Sequence, residues 1–370
     1  SITSPNLESE KTIKLPTIPE AEPKEVAKPV VDMKPKDVPV QKPLANPPEV
    51  VKAVYVTSWS AGTSSKINYI INLIDTTEVN AVVIDVKDYS GYVAYNTDIK
   101  DLEKYGAEEI RIPKINSLIK QLHDKNVYVI ARVTVFQDPI LTKARPDLAI
   151  KNSITNSTWT DRKGLSWVDP ASKEGWDYNI AIAKDALGRG FDEINFDYIR
   201  FPSDGDLSVM KYPFYDEVKL KQDVMEEFFA YLREKLSGAK ISADLFGLST
   251  IQKDDLGIGQ IIESAYANFD YVSPMVYPSH YAVGFLGYKN PAEYPYEVVK
   301  YSMENALKRL KASGNSSKLR PWLQDFDLGA EYGPEEIKAQ IKAVTDAGSK
   351  DGWMIWDPNV VYTKEGLILE

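Results

Sequence analysis

Residues 193–202 read Glu-Ile-Asn-Phe-Asp-Tyr-Ile-Arg-Phe-Pro. This is a short β-rich run that meets a carboxylate and then a cation at its C-terminal end. It is one of eight such runs. The others are Val51–Thr57, Ala81–Val86, Val127–Val133, Lys240–Leu245, Tyr271–Val276, Leu319–Gln324 and Gly352–Trp356, with the quoted stretch supplying Glu193–Tyr198 as the fourth. Several are apolar without strict alternation, the pattern of strands covered on both faces. Helical stretches lie between them: Ile67–Asp75, Ile115–Lys125, Glu174–Leu187, Val218–Leu236, Gln260–Asn268, Glu297–Ala312 and Pro334–Ala347. Pro334 suits a first helical position, where its missing N–H costs nothing. Eight strands separated by helices over about 320 residues predict an α/β fold, a (β/α)8 TIM barrel with long loops. A doubly wound sheet would carry a glycine-rich phosphate loop after its first strand, and Ser58-Trp59-Ser60-Ala61-Gly62 is none.

In such a barrel the active site forms at the C-terminal ends of the strands. Carboxylates stand there on strand two (Asp85), four (Asp197), five (Asp244) and seven (Asp325). Acids among apolar residues are costly to bury unless paired, so a ring of them indicates chemistry, although any single one can be a structural ion pair with Arg132 or Arg200. Aromatic residues share the rim: Trp59, Tyr89, Tyr198, Tyr277, Tyr281, Trp322 and Trp356. Sugar rings stack their C–H faces on such side chains while their hydroxyls bond to carboxylates and Arg. The combination predicts a carbohydrate cleft, with Trp59, Tyr198, Tyr277, Trp322 and Trp356 as platforms and Asp85, Lys87, Arg200 and His280 as polar contacts. Lys87 and Asp85 both reach the site only if Val86 points outward.

Composition narrows the alternatives. Lys+Arg 44 against Asp+Glu 54 leaves a net charge of -10, which argues against a nucleic-acid or anionic-membrane partner. Cysteine is absent and only His123 and His280 are present, so thiol chemistry and the usual zinc sites are excluded. We expect no cofactor and no metal, a polysaccharide or oligosaccharide substrate, and a monomer. Residues 1–48 hold 10 of the 23 prolines, no aromatic residue, and seven lysines balanced by seven acids. That composition predicts a disordered Pro-rich tether, with the barrel as residues 49–370. The chain starts at Ser1, consistent with a processed N-terminus whose signal or anchor is missing. An extracellular or cell-surface-tethered protein is expected.

Four stretches resemble a known family: Val82–Asp88, Asn195–Pro202, Ser273–Tyr281 and Trp353–Asp357. They look like the bacterial "putative glycosyl hydrolase domain" family of TIM-barrel proteins over roughly residues 50–365, and the Phe-Asp-Tyr-Ile-Arg-Phe-Pro run is the most specific element. The resemblance implies a secreted or surface-tethered glycosidase. The family is also distantly similar to α-amylase-type barrels. That likeness implies Asp197 as nucleophile, Asp244 as acid/base and Asp325 as stabiliser of the transition state. The chain departs from that pattern with Asp where those enzymes carry Glu after strand five, and with only His280 on the rim. Asp197 and Asp244 come from adjacent strands, which suits the short carboxylate separation of a retaining enzyme. Two rival readings stand: a carbohydrate-binding barrel without turnover, and a Mg²⁺-dependent lyase or isomerase using Lys87.

Overall fold

A computed structural model describes residues 37–367 of the protein. Eight parallel strands alternate with seven principal helices: β1 (Val51–Val56), α1 (Ser64–Thr76), β2 (Ala81–Lys87), α2 (Ile115–His123), β3 (Tyr128–Thr134), α3 (Lys173–Arg189), β4 (Glu193–Asp197), α4 (Lys221–Lys235), β5 (Ile241–Phe246), α5 (Ile262–Asn268), β6 (Tyr271–Met275), α6 (Pro295–Ser313), β7 (Lys318–Leu319 and Trp322–Gln324), α7 (Pro334–Asp346) and β8 (Gly352–Trp356). Each strand pairs with its sequence neighbours, and β8 pairs with β1, so the sheet closes into the expected (β/α)8 barrel. Closure demands a glycine. Gly352 has φ +95°, and a Cβ there would stand 1.9 Å from the Val51 carbonyl oxygen.

The alternation of side chains sorts two cores. Val51, Ala53, Tyr55, Ala81, Val83, Tyr128, Ile130, Trp322 and Met354 fill the barrel interior. Val54, Val82, Ile84, Val129, Ile194, Leu245, Val272 and Ile355 face the helices. The helices follow from local signals. Ser172 caps α3 through a hydrogen bond from Gly175 N at 3.2 Å, and α6 and α7 each place proline in the first turn. Two boundaries differ from the sequence reading. The fourth helix starts at Lys221 rather than Val218, because Asp216 accepts from Val218 N and Lys219 N and holds that segment as a turn. The seventh strand is interrupted at Arg320-Pro321, where proline has no N–H for the ladder. The floor of the barrel is closed by a fully buried ion pair between Glu193 and Arg320, with the Arg320 guanidinium 4.1 Å from the Tyr271 ring.

Residues 37–48 correct part of the tether reading, while residues 1–36 lie outside the described ones. Asp37 caps α2, accepting from Asn116 N at 2.8 Å and from Ser117 N and Oγ at 2.9 and 2.7 Å. Gln41 N donates to Arg189 O at 3.1 Å. Leu44 N donates to Asp192 Oδ1 at 2.6 Å, and its side chain packs on the interior cluster. A segment too poor in apolar residues to fold alone is held here by capping a helix and pairing with strand-entry groups. Deleting residues 1–36 should leave the melting temperature unchanged. Deleting 1–48 should lower it by about 4–8 °C, from about 2 kcal/mol of lost caps and contacts. Equal melting temperatures for the two truncations would contradict this docking.

Candidate active site

The upper layer of the barrel interior gathers three of the four strand-end carboxylates around one cation, Arg132 on β3. Its Nη1 donates to Asp85 Oδ1 at 2.7 Å and its Nη2 to Asp197 Oδ2 at 2.5 Å. Its Nε lies 3.9 Å from Asp244 Oδ2. The guanidinium is centred 5.0 Å from the Trp356 ring and 5.8 Å from the Tyr55 ring, and these two rings stack at 3.7 Å. Burial acts to lower the Arg132 pKa, but Asp197 and Asp85 outweigh it and hold the group well above its ordinary value.

The carboxylates occupy different environments. Asp197 is fixed on its second oxygen by its neighbour's backbone: Tyr198 N donates to Oδ1 at 2.6 Å. Tyr198 takes φ +53°, an unusual left-handed conformation for a tyrosine, and it sits at the strand end that turns the chain over the mouth. Asp244 lies deeper. Its Oδ1 accepts from Asn195 Nδ2 and Trp322 Nε1, both at 2.8 Å. Burial first, and the charge of Asp197 second, push its pKa well above the usual carboxylate range, against the pull of Arg132. Asp85 is also pushed up by burial, opposed by Arg132, and it accepts from the Tyr55 hydroxyl. Side-chain exposure is 10% for Asp197, 3% for Asp85 and 1% for Asp244, so Asp197 is the carboxylate within reach from the mouth.

Two expected members face elsewhere. Lys87 should point inward by alternation from Asp85, but the β2–β3 register skips between them: Asp85 pairs with Arg132 and Lys87 with Val133. This bulge turns Lys87 outward. There it is fully buried, ion-paired to Asp138 at 2.6 Å and bonded to Thr134 O and Asn179 Oδ1 at 2.8 and 2.9 Å. Asp325 also faces outward, because Trp322 and Phe326 on either side of it belong to the interior. Its two oxygens accept from Thr363 N and Oγ1 at 2.8 and 2.7 Å. The stabilising role expected of Asp325 therefore lacks a geometric basis.

Burial raises the Asp325 pKa to about 7. The native state thus keeps this proton longer than the unfolded chain. The associated stability is complete below about pH 4 and is lost as pH rises through about 7. Asp325→Asn does not titrate, so the wild type should lose roughly 2–4 kcal/mol relative to it between those limits. Thermal melts of both proteins across that range check the sign, and parallel curves would refute it.

The aromatic residues divide in the same way. Trp322 is buried, and its indole serves Asp244 rather than a sugar face. Trp356 is partly exposed above Arg132. Tyr277 packs edge-on to His280 and Phe326 at 5.0 and 5.6 Å. Trp59 lies under the Arg111 guanidinium at 4.9 Å, which is itself paired to Asp88 at 2.5 Å. Arg200 is seated among Trp167, Phe246 and Tyr198 at 4.9, 4.8 and 5.3 Å, and donates to Phe201 O and Ser203 Oγ. Arg132, Tyr55 and Asn195 were not singled out as site residues. The usable signal was a lone arginine in the apolar run Val127–Val135.

A closed eight-stranded barrel with paired carboxylates at the strand ends is the architecture of glycoside-hydrolase-like TIM barrels. Residues 53–362 match the family described as "Putative glycosyl hydrolase domain", and the chain belongs to that family. No curated protein matches it. Among solved structures, the glycoside hydrolase domain of PgaB (BpsB) from Bordetella bronchiseptica aligns with a TM-score of 0.62 and 14% identity, over 87% of this chain and 99% of that one. TtGalA, an alpha-galactosidase from Thermus thermophilus in complex with stachyose, aligns with a TM-score of 0.52 and 13% identity, over 89% and 64%. A hypothetical protein from Ruminiclostridium thermocellum is 38% identical over 55% of this chain and 98% of its own, with a TM-score of 0.48. At such identities the first two likenesses speak for the fold.

Proposed function

We propose that this protein hydrolyses glycosidic bonds of a bacterial or environmental polysaccharide, outside the cell or at its surface. One observation carries the reading. Two carboxylates from adjacent strands sit side by side in opposite environments, Asp197 clamped by a cation and Asp244 pushed toward its protonated form. Such a split separates a nucleophile from a general acid. Asp197 attacks the anomeric carbon, and the leaving oxygen takes the Asp244 proton. The bond from the anomeric carbon to that oxygen breaks as an ester to Asp197 forms. Water then cleaves the ester, returning its proton to Asp244, and the anomeric configuration is retained. Arg132 stabilises the carboxylate of Asp197 that re-forms as the ester breaks, and Trp356 offers a partly exposed ring beside it.

Release of reducing ends from cell-wall and exopolysaccharide fractions, with Asp197→Asn as control, tests the activity, and NMR of the first product tests the stereochemistry. An inverted product would remove Asp244 as the partner of Asp197. Carbohydrate binding without turnover is favoured by one observation: Asp244 is almost wholly buried, and its Oδ1 already accepts two hydrogen bonds. Saturable binding with no release by the wild type would establish that reading instead. The lyase reading loses its base, because Lys87 is turned away to Asp138 and Arg132 holds the centre of the carboxylates.

A further inference from the structure

We propose that a cleft beside the barrel mouth is a second carbohydrate site, one that takes the charged residues of an anionic glycan. The inference rests on the glycosidase reading and adds a substrate class to it. The cleft has a volume of about 410 Å³ and lies between the segment after β2 and the helix Pro139–Ala144 after β3. Both walls are strand-end loops, on the side of the barrel where Asp85 and Arg132 converge.

The lining carries sugar-binding chemistry. Tyr92 and Tyr105 present partly exposed rings. Arg145 is committed to Asp147 and Glu174, each at 2.6 Å, and it donates to the Tyr105 hydroxyl at 3.4 Å. Lys104 and Lys143 are exposed on the same lining; Lys104 lies 5.4 Å from the Tyr105 ring, and neither lysine has a carboxylate partner among the described residues. Two ammonium groups without a carboxylate partner, beside two tyrosines, favour a polymer that carries its own negative charge.

The walls are tied together from beneath, so the cleft is a fixed feature. Asp138, held by the outward-turned Lys87, caps the Pro139–Ala144 helix through Leu141 N at 2.8 Å. From the other wall, Gly91 packs so close that a Cβ would stand 2.3 Å from Asp138 Oδ1, and its φ of +86° also requires glycine. The buried pair that leaves the catalytic layer thus supports this second surface.

Calorimetry on the full chain carrying Asp197→Asn tests the proposal without interference from cleavage. The probes are a galacturonate hexamer, a glycerol-phosphate oligomer of similar length and a neutral β-glucan hexamer. At least one anionic probe should bind, and more tightly than the neutral one. Its affinity should fall about tenfold in Lys104→Gln/Lys143→Gln and also on raising salt from about 50 to about 500 mM. Binding of the galacturonate marks a carboxylate-bearing glycan, and binding of the phosphate oligomer a phosphate-bearing one. No anionic binding, or equal binding by the double variant with an unchanged melting temperature, overturns the proposal. Lysine-dependent binding in a protein that cleaves nothing would keep the cleft and sink the hydrolase reading. Turnover by the wild type without such binding would do the reverse.

Discussion

Arg132→Ala should be the most destabilising single substitution in the upper barrel, costing about 3–5 kcal/mol at neutral pH. The guanidinium is bonded to Asp85 and Asp197 and lies near Asp244, all three nearly removed from water. Without it, three carboxyl groups share a buried pocket with no compensating charge. They must take up protons or draw in water, and either outcome favours unfolding. The expected fall in melting temperature is about 10 °C or more. The pH dependence distinguishes this cause from a simple cavity. At about pH 4 the carboxyl groups of the variant are largely protonated, so its deficit should shrink there, whereas lost packing would cost the same at both pH values. Arg132→Lys should recover only part of the stability, because an ammonium cannot fork between Asp85 and Asp197 as the planar guanidinium does. A deficit below about 1 kcal/mol, or one independent of pH, would show that the carboxylates are satisfied by other means.

The second large effect concerns turnover. Asp197→Asn should abolish hydrolysis, by about 10⁴-fold or more, while keeping the fold, since the one amide oxygen still accepts from Tyr198 N, and Arg132, losing its bond to residue 197, keeps the one to Asp85. Asp244→Asn should slow turnover by about 10²–10⁴-fold and change the pH profile. With the Asp244 pKa raised, wild-type activity should fall on the alkaline side as that proton is lost, and the Asn variant should lack this limb. The same shift acts on stability in a definite direction. The folded pKa lies above the unfolded one, so stability is complete at acid pH and declines as pH rises. Asp244→Asn should therefore melt progressively higher than the wild type as the medium becomes alkaline. An unchanged alkaline limb would place the acid elsewhere, with Asp85 as the next carboxyl group on the ring.

The fold was legible because two periods coincide. Runs such as Ala81–Val86 and Val127–Val133 lie between helical segments of barrel length, and closure then brings the strand ends into one ring. Asp85, Asp197 and Asp244 were legible for the same reason, as acids at one level of the strands. Lys87 and Asp325 were misplaced by one residue of phase. Alternation assigns a face only while the register is regular, and a bulge after Asp85 reverses the face of Lys87. At β7 the inward side belongs to Trp322 and Phe326, so the acid between Gln324 and Phe326 turns out toward Thr363. Arg132 was visible only as a pairing candidate, because its role depends on a convergence of three strands that no local pattern contains. The arm at 37–48 was misjudged because composition measures what a segment can bury by itself, and Asp37 acts by completing a neighbouring helix.

That arm also has a mechanical consequence. From the floor of the barrel at Leu44 it climbs past Arg189 to the first turn of α2, the end of that helix nearer the mouth. Residue 37 therefore stands beside the open face, although β1 begins at the opposite pole of the barrel. Tension applied at residue 37 would be taken up in shear along the arm, by the Asp37 and Gln41 bonds, before it reached β1.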